Sequence, residues 1–198
     1  PLAHEYAGAP PQLPLEAVLQ ALRPWLESPA HRKVGQNLKY DAHVLANHGV
    51  TLAGIAHDTM LQSYVLEAHR SHDMDSLAER HLGRHTIRYE DVCGKGARQI
   101  GFGQVGVERA TEYSAEDAEV TLSLHQHLWP RVQRHAGLKF VYESIEVPVC
   151  EVLFAMERTG VLVDPQRLRE QSAELAQRLA ALQALPRSRP SAGPPPAA

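Results

Sequence analysis

The sequence predicts an α/β fold, on three observations. Two short segments read as strands, residues 33–36 and the apolar, β-branched 50–56, and each leads within a few residues into a segment with helix-start chemistry. Elsewhere the apolar positions recur at helical rather than alternating spacing, in segments too long for strands. The 198 residues are 43% hydrophobic and 22% charged, enough apolar material for one globular core with appendages.

Residues 14–28 begin with Pro14 at a first-turn position and place Leu15, Val18, Leu19, Leu22, Trp25 and Leu26 on one helical face, with a bend at Pro24. Residues 33–36 read as a short buried strand. Asn37 is an N-cap for a helix that carries Tyr40, Asp41, Val44 and Leu45 and stops at Gly49, so Asp41 falls in a first turn. The β-branched run 50–56 predicts a second strand. Asp58 or Thr59 then caps a helix through Met60, Leu61, Tyr64, Val65 and Leu66. A helix over 74–82 ends at Gly83. Residues 83–106 are rich in loop signals, and the stretch GKGARQIGFGQ, with four glycines and two cations, could wrap a phosphate or simply form an exposed connection.

Residues 111–130 organise the rest. Ala115, Ala118, Val120, Leu122, Leu124 and Leu128 follow a helical period with no Gly or Pro before Pro130. Tyr113 and Asp117, four apart on this helix, lie one turn from each other on one face. Residues 138–159 form another helical pattern, bent at Pro148 and stopped by Gly160, and 165–182 carry Leu168, Leu175, Leu179 and Leu182 near a seven-residue spacing. The tail 184–198 is Pro-rich, without acidic or aromatic residues, and is expected to be disordered.

Twenty Lys and Arg against 23 Asp and Glu give a net charge of -3, so a polyanion would be met by a local basic patch rather than by the whole surface. Cys93 and Cys150 stand far apart in no metal-ligand spacing, which excludes a disulfide framework and fits a reducing cytoplasm. No run is long and apolar enough to span a bilayer, and no export leader is visible. The chain begins at Pro1 in mid-pattern and reads as a fragment.

Among twelve histidines, His125 and His127 on the long helix point about 200° apart and cannot chelate together, so they are assigned to surface and interface positions. His69 and His72 near Asp73 and Asp75 form a tighter cluster, but helix capping by an Asp is the simpler role. No Gly-x-Ser-x-Gly, Walker A or His-Glu-x-x-His motif occurs. Asp41 and Asp117 remain, each of which could equally be a solvated helix-start carboxylate.

In order along the chain, KVGQNLKYDAHVL, AHDTMLQSYVL, SHDMDSLAERHLG, GKGARQIGF and YSAEDAEVTLSLHQHLWP resemble the 3'-5' proofreading exonuclease domain of bacterial DNA polymerase I, family A. YESIEVPVCEVLFAMERTGVLVDPQRL resembles the opening of that enzyme's polymerase domain. The resemblance implies a ribonuclease H-like fold, lacking its first strands, over 1–137, the helical start of the polymerase domain over 138–183, and the tail 184–198. It implies removal of mononucleotides from a single-stranded DNA 3' end by two Mg2+ ions, with Mn2+ as substitute. Ions about 3.5 to 4 Å apart can ionise water and stabilise the leaving oxygen, and carboxylates are the hard ligands Mg2+ prefers.

By the same resemblance, Asp41 and Asp117 hold metal and Tyr113 orients the water. Gln36, Asn37 and Tyr40 line the strand-end pocket, and Tyr89 packs against DNA. Two departures stand out. The family's Asp-x-Glu first motif, two of four metal carboxylates, would precede Pro1, and Asp73-Met74-Asp75 has that spacing in the wrong place. The fragment alone is therefore expected to be inactive, and its sheet to expose unpaired edges. Ser71 stands where an Arg is expected before His72-Asp73, with Arg70 one position earlier. The expected partners are single-stranded DNA and the remainder of the polymerase chain, with no membrane, in a monomer of the bacterial cytoplasm associated with the nucleoid. Two other readings stay open: a non-catalytic exonuclease-like module that binds DNA or braces the polymerase domain, and an exonuclease acting on RNA, which the polymerase-like continuation disfavours.

Overall fold

In the structure, a computed structural model, residues 2–184 are described. The chain divides into two compact units, Pro1–Arg158 and Thr159–Ala198. In the first, α1 (Leu15–Leu26) starts after Pro14, whose fixed φ suits a helix entry, and runs through Pro24. Its last carbonyls are met by a buried cation. Lys33 donates from Nζ to the carbonyls of Trp25 at 2.7 Å and Ser28 at 2.9 Å, and lies 4.9 Å from the Trp25 ring centre. A lysine on a buried strand is tolerated because a helix C-terminus and an aromatic face both favour positive charge.

Lys33 opens β1 (Lys33–Gly35), which pairs in parallel with β2 (Ile55–Asp58), Val34 opposite His57 and Gly35 opposite Asp58. The connection is α2 (Leu38–Asn47), closed by Gly49 at φ +67°. The second strand is shorter than the β-branched run predicts. Val50 is buried but its N–H bonds back to Leu45, Ala53 bonds to Leu26, and Gly54 turns the chain at φ +72° before pairing begins at Ile55. A Cβ at Gly54 would lie 2.5 Å from the His31 carbonyl oxygen, so this turn requires glycine.

Asp58 leads into α3 (Thr59–Glu67), and Asp73 caps α4 (Met74–Leu82) by accepting from Ser76 N at 2.9 Å, with Gly83 left-handed at its end. The region expected to be loop contains α5 (Tyr89–Cys93) and two single 3-10 turns, and its Lys95 is paired with Glu90 at 3.0 Å rather than left free for a phosphate.

The long helix, α6 (Val107–Gln133), overruns its predicted limits at both ends. Gly106 supplies the entry, and Thr111 sits inside, donating from Oγ1 to the Val107 carbonyl. Pro130 forfeits one hydrogen bond, yet the last turn persists because Val132 is fully buried against Leu61 and Tyr142. The main core lies where α6 packs on α4: Val120, Leu124 and Leu128 with Leu77 and Ala78, all fully buried.

The bend expected at Pro148 takes the form of a π-helical turn, Tyr142–Glu146, between α7 (Ala136–Val141) and α8 (Val147–Thr159). Val147 N–H bonds to the Tyr142 carbonyl, five residues back. Pro148 cannot donate to Ser144 and its ring crowds that carbonyl, so the ladder widens just ahead of it. In the second unit, α9 (Pro165–Ala184) begins with Pro165 behind the Asp164 carboxylate, which accepts from Gln166 N and Arg167 N at 3.0 Å each. Its leucines 168, 175, 179 and 182 are exposed. The Pro-rich stretch after Ala184, expected to be disordered, lies outside the described residues.

Candidate active site

The geometry of the site starts from the N-terminus of α2. Asn37 occupies the cap position but is left-handed, φ 57° and ψ 47°, and its side chain caps nothing. The cap comes from another strand. Asp58 accepts from Leu38 N through Oδ2 at 2.8 Å, and through Oδ1 from Asn37 N at 3.1 Å, Met60 N at 2.9 Å and Leu61 N at 3.4 Å. One buried carboxylate thus closes the first turns of both α2 and α3. Burial raises the Asp58 pKa, and the four N–H groups work against that rise. Sequence spacing assigns Asp58 to α3 alone; its second role exists only because β1 and β2 pair.

One turn into α2, Asp41 faces a groove of about 460 Å³ whose walls include Val34 and Gln36 of the β1 end, Met74 of α4, and Asp117 and Thr121 of α6. Asp41 and Asp117 therefore share one groove although they come from elements far apart in the chain. Burial raises the pKa of each. Asp58 adds repulsion at Asp41; at Asp117 the Tyr113 hydroxyl opposes the rise, while Asp75 and Glu116 add to it. Asp117 Oδ1 is buried without a hydrogen-bond partner. Gln36, in the same groove, is engaged at both ends of its amide, donating to the His72 carbonyl at 2.8 Å and accepting from Thr59 Oγ1. Its side chain is held for shape rather than left free.

Tyr113 lies at the mouth of an aromatic group. Burial and the Asp117 carboxylate push its pKa up to about 12, so its hydroxyl stays a neutral donor. Phe102 sits among three rings: Tyr113 at 5.8 Å, Tyr89 at 6.3 Å and His4 at 5.8 Å between centroids. Tyr89 meets Tyr113 edge-on at 6.5 Å and is 43% exposed, and Tyr40 is 67% exposed, so both offer open ring faces. Phe102 was not legible as part of this group, since in sequence it is one aromatic in a glycine-rich loop.

The histidines divide differently from the expectation of surface and interface positions. His127 is exposed, but His125 is half-buried, stacked on His57 at 4.4 Å and hydrogen-bonded to Gln62 at 3.0 Å. Beside the groove, Asp75 accepts from Thr86 Oγ1 at 2.5 Å.

As a seat for a divalent cation the groove is right in kind and short in number. Asp41 and Asp117 are hard oxygen donors, and the orphaned Asp117 Oδ1 is the atom such an ion would satisfy. Among the described residues, however, no group of three or more His, Cys, Asp or Glu side chains could hold a metal.

A family model described as 3'-5' exonuclease, of the DNA polymerase A type, matches residues 3–133, which include Asp41, Tyr113 and Asp117. The chain belongs to this 3'-5' exonuclease family. It is 52% identical over 186 residues to DNA polymerase I of Pseudomonas aeruginosa, covering 92% of this chain and 20% of that protein. It is 46% identical over 173 residues to DNA polymerase I of Rhizobium leguminosarum, covering 87% and 17%, and 36% identical over 171 residues to that of Chloroflexus aurantiacus, covering 86% and 18%. The exonuclease-family chain thus spans about a fifth of the length of these bacterial relatives. A solved structure, the POL domain of Pol1 from M. smegmatis in complex with DNA primer-template and dNTP, superposes with a TM-score of 0.56 at 27% identity, over 86% of this chain and 26% of that one. A mostly helical chain with a small parallel sheet agrees with the α/β class expected of the exonuclease family. Exonucleases of the DNA polymerase I family are generally dependent on divalent metal. No helix among the described residues is long and apolar enough to cross a membrane.

Proposed function

We propose that this chain is the proofreading portion of a bacterial DNA polymerase I, and that its groove receives the 3' end of single-stranded DNA for hydrolysis. The observation that carries the reading is the convergence of Asp41 from α2 and Asp117 from α6 on one groove, inside the span that matches the exonuclease family. Asp41 and Asp117 would hold Mg2+, or Mn2+ in its place, as part of a two-ion site that needs further oxygen ligands besides these two. Such ions supply an ionised water and charge stabilisation at the leaving oxygen.

The chain's own residues do the positioning. Tyr113, a neutral phenol beside Asp117, offers a hydrogen bond at the reacting end. Tyr89 and Tyr40 offer ring faces for the terminal bases, where stacking contributes about 1–3 kcal/mol per base. Asn37 and Gln36 shape the wall that the strand end meets. Residues 138–183 begin the polymerase domain, and the cytoplasm, around the nucleoid, is the place of action. Two carboxylates alone bind a divalent ion weakly, so the 198 residues by themselves have little activity.

The test is degradation of a labelled single-stranded DNA with Mg2+ or Mn2+ by the whole gene product that carries this chain, beside its Asp117→Ala variant. Release of mononucleotides from the 3' end that the substitution abolishes is the expected result. Retained DNA binding without cleavage in both proteins would replace this reading with the non-catalytic module, the alternative favoured by the lack of a three-donor cluster among the described residues.

A further inference from the structure

We infer that Asp58, though it lies outside the proposed reacting groups, is a positioning residue that fixes where Asp41 stands against Asp117; this rests on the function proposed above. Helix α2 carries Asp41 in its first turn and joins the preceding strand through Asn37, a non-glycine residue held left-handed at φ 57°. Left-handed backbone is uncommon for a non-glycine residue, so this junction is held by its surroundings rather than by its own preference. The side chain that ordinarily settles it, that of Asn37, makes no cap bond. Both amides of the junction, Asn37 N and Leu38 N, end instead on Asp58, 4% exposed and rooted at the end of β2.

The division of labour between its two oxygens gives the residue a specific chemistry. Oδ1 serves Met60 and Leu61 of α3 together with Asn37, whereas Oδ2 serves Leu38 alone. Asp58 is itself anchored from a third element, because its own N–H donates to the Tyr142 hydroxyl at 2.9 Å and Tyr142 is fully buried. The direction of α2, and with it the reach of Asp41 across the groove, is therefore referenced through one carboxylate to β2, α3 and the π-helical turn. A single amide oxygen would suffice for Asn37 and α3; only a carboxylate can also accept from Leu38, because that bond needs the second oxygen.

The test uses Asp58→Asn, which keeps one amide oxygen for the three N–H groups at Oδ1 and turns an NH2 toward Leu38. Amide exchange by NMR on the 198-residue chain should show Leu38 protection falling about tenfold while Met60 and Leu61 keep theirs. In the whole gene product, the maximal excision rate on single-stranded DNA should fall about tenfold with half-saturating DNA unchanged, since alignment rather than binding is lost. Asp58→Ala removes both caps and should lower Met60 and Leu61 protection as well. Unchanged Leu38 protection in Asp58→Asn, or an excision rate that falls only with the folded fraction, overturns the inference. An unsubstituted gene product that fails to excise, with the Leu38 effect present, overturns the proposed function and leaves Asp58 as a helix clamp without a reaction to serve.

Discussion

Tyr113 and Asp117 stand one turn apart on α6, and the phenol approaches a carboxylate whose Oδ1 is buried with no hydrogen-bond partner. An anion kept in this state works against the fold. Its pKa is raised by burial and by the neighbouring Asp75 and Glu116, more than Tyr113 lowers it. A carboxyl group whose folded pKa lies above its ordinary value of 3.8 carries its full penalty at pH values above the folded pKa, and loses it as pH falls toward 3.8.

Asp117→Asn should therefore stabilise the chain near neutral pH while, on the proposed function, abolishing excision by the whole gene product. Thermal unfolding at pH 7 should give a higher midpoint for Asp117→Asn than for the unsubstituted chain. The gap should close as pH approaches 4. Equal midpoints at pH 7 would show that the carboxylate is not strained by burial.

Tyr113→Phe isolates the hydroxyl. The pKa near 12 keeps Tyr113 protonated throughout the working range, so no phenolate contributes to the pH profile. Excision by the whole gene product should fall about tenfold, the worth of roughly one hydrogen bond, with the shape of its pH profile unchanged up to pH 10. Ultraviolet difference titration should show one fewer high-pH tyrosine in the variant.

Local chemistry was well written in the sequence where one residue does one job. Asp73 capping α4, Gly49 and Gly83 closing helices, Pro165 opening α9, and the one-turn spacing of Tyr113 and Asp117 all follow from rules within a few residues. What failed depended on partners distant in the chain. Residues 50–54 have strand composition, but β1 begins pairing only at Ile55, and Val50 serves the core instead. Asn37 has the right chemistry for a cap, yet its side chain makes no cap bond, and it is Asp58 from the neighbouring strand that takes the Asn37 and Leu38 amides at the helix start. Pro130 reads as a stop, but the buried Val132 holds one more turn beyond it. Spacing alone leaves Asp41 and Asp117 as two separate aspartates and only the family resemblance implies one metal site for them; that both line one groove is a product of the fold.

His57 predicts an acid weakness. Its ring stacks on His125 at 4.4 Å and meets Trp129 at a tilt at 4.5 Å, with the Tyr142 ring at 6.3 Å, and the Arg32 guanidinium lies 3.3 Å from Nε2. Burial, His125 and Arg32 together lower its pKa to about 4. The unfolded chain takes up this proton near pH 6.5 and the folded chain only near 4, so stability is full above 6.5 and drains away as pH falls between those values. His57→Phe should flatten that part of the stability profile, read by denaturant unfolding at pH 7, 6 and 5. His125, lowered by burial and Arg32, contributes in the same direction and remains in the variant.

Glu67 is the hub of the charges that tie α3 to α4 and α6. It accepts from Arg80 at 3.0 Å and Arg131 at 3.4 Å and lies 3.5 Å from His81 Nε2, while Arg131 also meets His81 Nδ1 at 3.2 Å. Burial raises the Glu67 pKa, but His81 and the two arginines outweigh it and leave the carboxyl below its ordinary value of 4.5. Stability from this group is present above 4.5 and is lost as pH falls through the lowered folded pKa. Glu67→Gln leaves Arg80, Arg131 and His81 facing one another without a counter-charge, so the loss exceeds that of a single exposed ion pair and is on the order of 1–2 kcal/mol. Because Arg80 and Arg131 remain partly exposed, added salt screens their mutual repulsion and should recover part of the loss in the variant. Urea unfolding of both proteins at low and high salt measures this directly, and a Glu67→Gln chain as stable as the original would show that the arginines are held by solvent rather than by Glu67.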